Sequence, residues 1–253
     1  MQVNYVLGDA VAGDVPMAME ILDAQGQVVY AEYSPDHRPD CPASPRRDQF
    51  RRSAGAHRWS WSMEVGRIAC LPEITRTSRN LSAYEAKPGD YRIRLTVGDE
   101  VREQDFRIRI DPRLEGIVAD PMAAYAELDR ISASLLAGAT AMAQGVEDLR
   151  QIQRQVEVVR ELSAAAEVQD GADELNAVIT DWIEEILQKE LKTSQHNYQF
   201  EARLLMKYKD LLGRISGANI PVTQGVRDVT RDYLATWAAL EAELQLIRTE
   251  SVE

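Results

Sequence analysis

The sequence predicts an α+β chain in separate domains. Residues 1–112 read as an N-terminal antiparallel β-sandwich of the immunoglobulin or fibronectin-III kind, and residues 113–253 as an antiparallel helical bundle with one long helix. Three observations carry this. Apolar residues alternate with polar ones before Asp111-Pro112-Arg113 and recur every three or four residues behind it, a change from strand period to helix period. The first part holds about six or seven short apolar runs separated by turn residues, the count and spacing of a small sandwich. Charge divides at the same seam: residues 1–112 carry 15 Lys and Arg against 17 Asp and Glu, and residues 113–253 carry 14 against 24.

The first strand lies near Val3–Leu7. Met17 to Tyr33 reads as a hairpin, with Asp23-Ala24-Gln25-Gly26 at the turn and the glycine where positive φ is needed. Ser34 to Ser53 holds four prolines and the arginines Arg46, Arg47, Arg51 and Arg52, and predicts a long surface loop. In His57-Arg58-Trp59-Ser60-Trp61-Ser62-Met63 the two tryptophans and the methionine share one face of a strand, which is expected to be core. Tyr91, Ile93, Leu95 and Val97 alternate, Gly98-Asp99 turns the chain, and Phe106, Ile108 and Ile110 alternate back as a second hairpin.

Asp120-Pro121 starts the first helix, with aspartate as cap and proline in the first turn. Leu128, Ile131, Leu135, Gly138, Met142, Gly145, Leu149, Ile152, Val156 and Val159 form a seam at spacings of three and four. That pattern predicts one helix of about 45 residues ending at Gly171, or a break at the two seam glycines. A second helix follows over Leu175–Leu187 and a third over Phe200–Ile215, stopped by Gly217. The fourth runs from Ile220-Pro221-Val222-Thr223 through Val226 to Ile247.

The residue pattern excludes more chemistry than it suggests. His37, His57 and His196 are far apart and no Cys-x-x-Cys occurs, so no zinc site is expected; Glu-x-x-His pairs for a di-iron bundle are absent too. Serine-elbow and phosphate-loop motifs are missing. No catalytic, cofactor-binding or metal residue is therefore expected. Glu147-Asp148 and Glu184-Glu185 are neighbours on helices and read as solvated charge. The four arginines are candidate contacts for an anionic ligand or for a partner, the simpler reading being a solvated loop. The acidic helical half disfavours nucleic acid and anionic membrane as partners, and the most apolar stretch, Ala133–Ala143, is about half a bilayer span. Cys41 and Cys70 would form a bridge worth roughly 3–4 kcal/mol in an oxidising compartment or stay thiols in a cytosolic one. The chain enters its first strand with no secretory signal or lead-in, so residues preceding Met1 are expected.

The ordered series Leu22-Asp23-Ala24-Gln25-Gly26-Gln27-Val28-Val29, Ala54-Gly55-Ala56-His57-Arg58-Trp59-Ser60-Trp61, Lys87-Pro88-Gly89-Asp90-Tyr91-Arg92-Ile93-Arg94-Leu95-Thr96-Val97 and Asp111-Pro112-Arg113 resembles the C-terminal region of bacterial sortilin-like or BNR-repeat β-propeller proteins, often labelled glycosyl hydrolases. The resemblance covers most of the chain, with Asn197-Tyr198 standing where a late helix opens. It implies a propeller upstream, a fibronectin-like sandwich and a helical tail. It also implies an exported protein, which favours the Cys41–Cys70 bridge; a chain that starts natively at Met1 would instead be cytoplasmic. The propeller and its Ser-x-Asp-x-Gly-x-x-Trp boxes are not in this sequence, so no family site carries over. The expected function is a noncatalytic accessory and interaction module docking on the propeller or on a protein partner. The alternatives are part of a glycoside-active enzyme, which needs two converging carboxylates, and a homo-oligomer assembled through Leu128–Val159.

Overall fold

The structure, a computed structural model, describes residues 1–34, 50–66, 84–114, 116–190, 199–217 and 220–250. Cys41, Cys70, Arg46, Arg47 and Asn197-Tyr198, with most of the proline-rich segment, lie outside the described residues. An antiparallel sheet region is followed by four helices, and the chain divides into two compact units. Of the described residues, those up to Arg130 form the first together with Ser216, Gly217, Ile220 and Pro221. Ile131–Ile215 and Val222 onward form the second.

In the first unit β2 (Met17–Leu22), β3 (Val28–Tyr33), β7 (Gly89–Val97) and β8 (Glu100–Ile108) make a four-stranded sheet in the order β3-β2-β7-β8. β1 (Gln2–Leu7) pairs with β4 (Gly55–Ser60), and the two-residue β5 (Glu64–Val65) with β6 (Tyr84–Glu85). All pairings are antiparallel. The β2–β3 turn forms because the Asp23 carboxylate accepts the backbone N–H groups of Gln25 and Gln27 at 2.9 and 2.8 Å, and Gly26 supplies φ 79°. The β7–β8 turn uses Gly98 at φ 56°. Met17, Met19 and Ile21 point inward at alternate positions of β2, and Trp59 and Trp61 join them in the core at 1 % and 2 % exposure.

Two local expectations change. Met63 does not continue the tryptophan face, because β4 ends at Ser60 and Met63 turns the chain at φ 67° before β5. Ser34 and Phe50, within the stretch expected to be surface loop, are buried.

The helices are α1 (Pro121–Leu162), α2 (Ala166–Ile186), α3 (Leu204–Ile215) and α4 (Gln224–Glu250). Asp120 caps α1 by accepting the Ala123 N–H at 3.0 Å, and Thr223 caps α4 by accepting that of Val226 at 3.3 Å. The 42 residues of α1 run unbroken through both seam glycines. The glycines answer to packing: a Cβ on Gly138 would lie 2.7 Å from the Tyr208 ring, and one on Gly145 would lie 2.7 Å from Leu244 and 3.0 Å from Trp182.

Gly171 does not end this helix. α1 stops at Leu162 because the Gln169 amide donates to the carbonyl oxygens of Arg160 and Ser163 at 2.9 and 2.7 Å, satisfying acceptors that a continuing helix would have used. Gly171 then falls inside α2. Phe200 is likewise outside α3, which begins at Leu204.

Candidate docking groove

Of the four arginines, two are described. The Arg52 guanidinium donates to the carbonyl oxygens of Ala12 and Val15 at 2.7 and 2.8 Å, so it holds the segment between β1 and β2. The Arg51 residue is exposed, and its backbone N–H and C=O both bond the Tyr5 hydroxyl. The tryptophans offer no exposed platform. Trp61 packs at 6.1–6.5 Å against Tyr30, Tyr91 and Phe106, and the Trp59 indole N–H donates to the Glu32 carboxylate at 2.7 Å. Tyr30 donates to the other Glu32 oxygen at 2.8 Å, so this buried carboxylate is fully engaged.

A second polar cluster of the strand unit gathers Tyr84, Lys87, Asp129 and Ser216. The Lys87 ammonium, buried, donates to the Ser216 carbonyl at 3.1 Å and sits 5.9 Å from the centre of the Tyr84 ring. The Glu85 N–H donates to the Ser216 hydroxyl at 3.0 Å. Burial lowers the pKa of Lys87 and raises that of Asp129, whose carboxylate accepts the Tyr84 hydroxyl. Tyr91 nearby, its hydroxyl donating to the Lys87 carbonyl at 2.8 Å, is pushed up to about 12, chiefly by burial. Among the described residues these groups partner one another.

A crevice of about 580 Å³ lies at the end of the four-stranded sheet, lined by the β2–β3 turn and by residues of β7 and β8. Its arginines are already committed. Arg107 makes a two-point contact with Asp90 at 2.5 and 2.7 Å, and Arg92 donates to Asp105 at 2.7 Å.

The helical unit holds an open groove. α2 and α4 enclose a groove of about 660 Å³ with Trp182 and Ile247 as its floor and Val178 and Leu246 as its lips. The floor is rigid, because the Trp182 indole N–H donates to the Leu240 carbonyl at 2.8 Å, its ring meets that of Trp237 edge-on at 6.4 Å, and Gly145 admits its outer edge from α1. The lips are solvated: Val178 is 45 % exposed and Leu246 63 %. Around them stand Asp181, Glu184, Glu185 and Glu243, with Arg203 as the one cation in the lining among the described residues. Glu184 is paired with Lys189 at 2.5 Å, which lowers its pKa, and Glu185 with Arg203 at 3.3 Å. Asp181 and Glu243 make no ion pair among the described residues.

The sequence assigned Glu184-Glu185 to solvent and did not point to the groove. The signal was the width of the α2 stripe, where Leu175 and Val178 add apolar surface beyond the fully buried line of Ile179, Trp182, Ile183 and Ile186. Leu246 lies off the periodic face of α4 and gave a second hint. Among the described residues no three His, Cys, Asp or Glu side chains are grouped to hold a metal ion, and no helix is long and apolar enough to cross a membrane. The chain matches no protein-family model and no curated protein sequence.

Proposed function

We propose that this chain is a noncatalytic accessory and interaction module. In this reading the strands form a β-sandwich of the immunoglobulin or fibronectin-III kind that docks on a propeller domain or another protein, and the helices form an antiparallel bundle that offers an assembly surface. The observation that carries it is the α2–α4 groove: two exposed apolar lips over a packed tryptophan floor, with carboxylates outnumbering cations among the described residues around them. Solvated apolar side chains beside a preformed concavity are what a docking surface presents. The sequence resemblance supports the same division of labour and suggests an exported protein.

The competing enzymatic reading, a glycoside-active chain, draws on the same groove because four carboxylates line it. Chromogenic glycosides incubated with the purified chain separate the two. No saturable turnover is expected; turnover that disappears in Glu243→Gln or Glu185→Gln would overturn the module reading.

A homo-oligomer is the second reading, favoured by the end of α1. There the apolar seam outlasts its cover, with Val159 54 % exposed and Leu162 83 %. Sedimentation over a range of concentrations tests it. A mass that rises with concentration in the native chain and stays monomeric in Val159→Asp would establish this assembly, and a constant monomer mass would exclude it.

A further inference from the structure

Resting on the interaction-module reading, we propose that the α2–α4 groove receives a basic amphipathic helix of a protein partner. One large apolar side chain of that helix enters over Trp182 between Val178 and Leu246, and lysines or arginines flanking it meet Asp181 and Glu243.

The occupant follows from shape and charge together. Val178, Asp181, Trp182 and Glu185 are spaced three and four apart and so share one face of α2, while Glu243, Leu246 and Ile247 share a face of α4. An apolar line thus runs along the groove with acidic residues on both banks. That is the complement of a helix with an apolar stripe bordered by cations. The stretch of α2 from Val178 to Glu185 spans about 10 Å, enough for roughly two turns of a bound helix. A volume of about 660 Å³ accepts the anchoring side chains from such a length and falls in the usual range of ligand sites.

Charge selects the sign of the partner. Among the described residues four carboxylates and one guanidinium line the groove, Lys189 and Arg203 hold Glu184 and Glu185, and the two acids without an ion pair there, Asp181 and Glu243, stand one on each bank. The surrounding helical half carries 14 basic against 24 acidic residues, which steers a cationic segment toward this side and repels an anionic one. An acidic peptide, a phosphorylated peptide or nucleic acid would bring like charge to both banks. Because the floor is already packed, a partner meets a preformed surface and binding needs no rearrangement of Trp182.

The test uses a fluorescein-labelled synthetic helix built of leucine and lysine, with a leucine–glutamate helix of the same pattern as control, read by anisotropy against the full chain. The lysine helix is expected to bind and the glutamate helix is not. Leu246→Asp removes an apolar lip at a position that is mostly solvated, and is expected to weaken binding at least about tenfold. Glu243→Lys is expected to weaken it several-fold and to flatten its salt dependence. Glu161→Lys makes the same change of net charge at an exposed position of α1 and is expected to leave binding within about twofold.

Equal losses in Glu243→Lys and Glu161→Lys would reduce the effect to overall charge and overturn the proposal. Binding that Leu246→Asp leaves unchanged would overturn it as well. So would a concentration-dependent dimer that Leu246→Asp dissolves, since the groove would then belong to a second copy of the chain. Unfolding midpoints of each variant accompany the titrations. If Leu246→Asp fails to fold, the Glu243→Lys and Glu161→Lys pair decides alone. Failure of the peptide to bind sinks this inference only, whereas glycoside turnover by the same preparations sinks the module reading beneath it.

Discussion

The strand unit and the helical unit treat charge in opposite ways. In the strand unit each buried or half-buried ionisable group described above meets a partner in its own unit: Glu32 takes bonds from Trp59 and Tyr30, Lys87 gives one to Ser216, and Asp129 takes one from Tyr84. Even its outer face is balanced, with Asp90–Arg107, Arg92–Asp105 and Arg94–Glu103 facing each other across β7 and β8 and Glu20 of β2 adding to Arg94. The helical unit puts tryptophan, leucine and isoleucine inside, and sets four carboxylates, two of them paired with Lys189 and Arg203, around a groove with exposed apolar lips. Exposed ladder pairs contribute about 0–1 kcal/mol each and mainly fix register. An acidic rim over apolar surface does nothing comparable for the unit that carries it, and so is better understood through what binds there.

If the groove floor is as tightly built as its contacts indicate, Trp182→Ala should be the most damaging substitution. It deletes a ring at 3 % exposure together with the bond to Leu240, and a loss of about 3–5 kcal/mol is expected in urea unfolding. A loss below about 1 kcal/mol would mean that the floor yields and that the contrast with the strand unit is overstated.

On the other side of the comparison, Glu32→Leu should cost about 1–3 kcal/mol, because the Trp59 indole and the Tyr30 hydroxyl both lose their acceptor inside the core. Glu32→Gln keeps one acceptor oxygen and should recover part of that loss. A neutral Glu32→Leu would show that these buried donors find other partners and that internal pairing is not what holds the strand unit.

Two glycines sharpen the account of helix packing with effects of opposite sign. Gly145→Ala gains roughly 1 kcal/mol of helix propensity but drives a methyl into Leu244 and Trp182, and overpacking of that kind costs about 1–3 kcal/mol, so a net loss of about 1 kcal/mol is expected. Gly171→Ala meets no atom within 4 Å and should raise stability by about 0.5–1 kcal/mol. Thermal midpoints of the pair check both; a stabilising Gly145→Ala would remove the packing reason for that glycine.

Much of the architecture was legible because it rests on local rules. Asp23 and Gly26 announce a turn, Asp120 and Thr223 announce helix starts, and the period of Trp59 and Trp61 announces a covered face. The failures share one cause, which is that the deciding contact was not local in sequence pattern. The end of α1 depends on an amide nine residues beyond Arg160 folding back to its carbonyl, and no periodicity encodes that bond. The groove depends on which parts of two apolar stripes are left uncovered, and burial of Val178 cannot be separated from exposure until α2 and α4 are set side by side. The cluster joins Tyr84 and Lys87 to Asp129, more than 40 positions further along the chain, and no spacing signal links them.

That cluster supplies the smallest expected effect and a check on the self-contained character of the strand unit. Burial raises the pKa of Asp129 from its ordinary 3.8 more than the ammonium of Lys87 and the hydroxyl of Tyr84 pull it down, and the charge of Asp23 adds to the rise. The native state therefore binds this proton more tightly than the unfolded chain does. The stabilising contribution of the protonated carboxyl is complete below 3.8 and is lost as pH rises through the elevated folded value. Lys87, whose pKa is lowered by burial, shifts stability in the alkaline range below 10.5 and does not share this window. Relative to Asp129→Asn, which holds no proton to titrate, the native chain should gain stability as pH falls from about 7 toward 3.8. Urea midpoints of the two proteins across that range measure it. A difference that moves the other way would mean that Lys87 and Tyr84 stabilise the Asp129 anion beyond its burial cost.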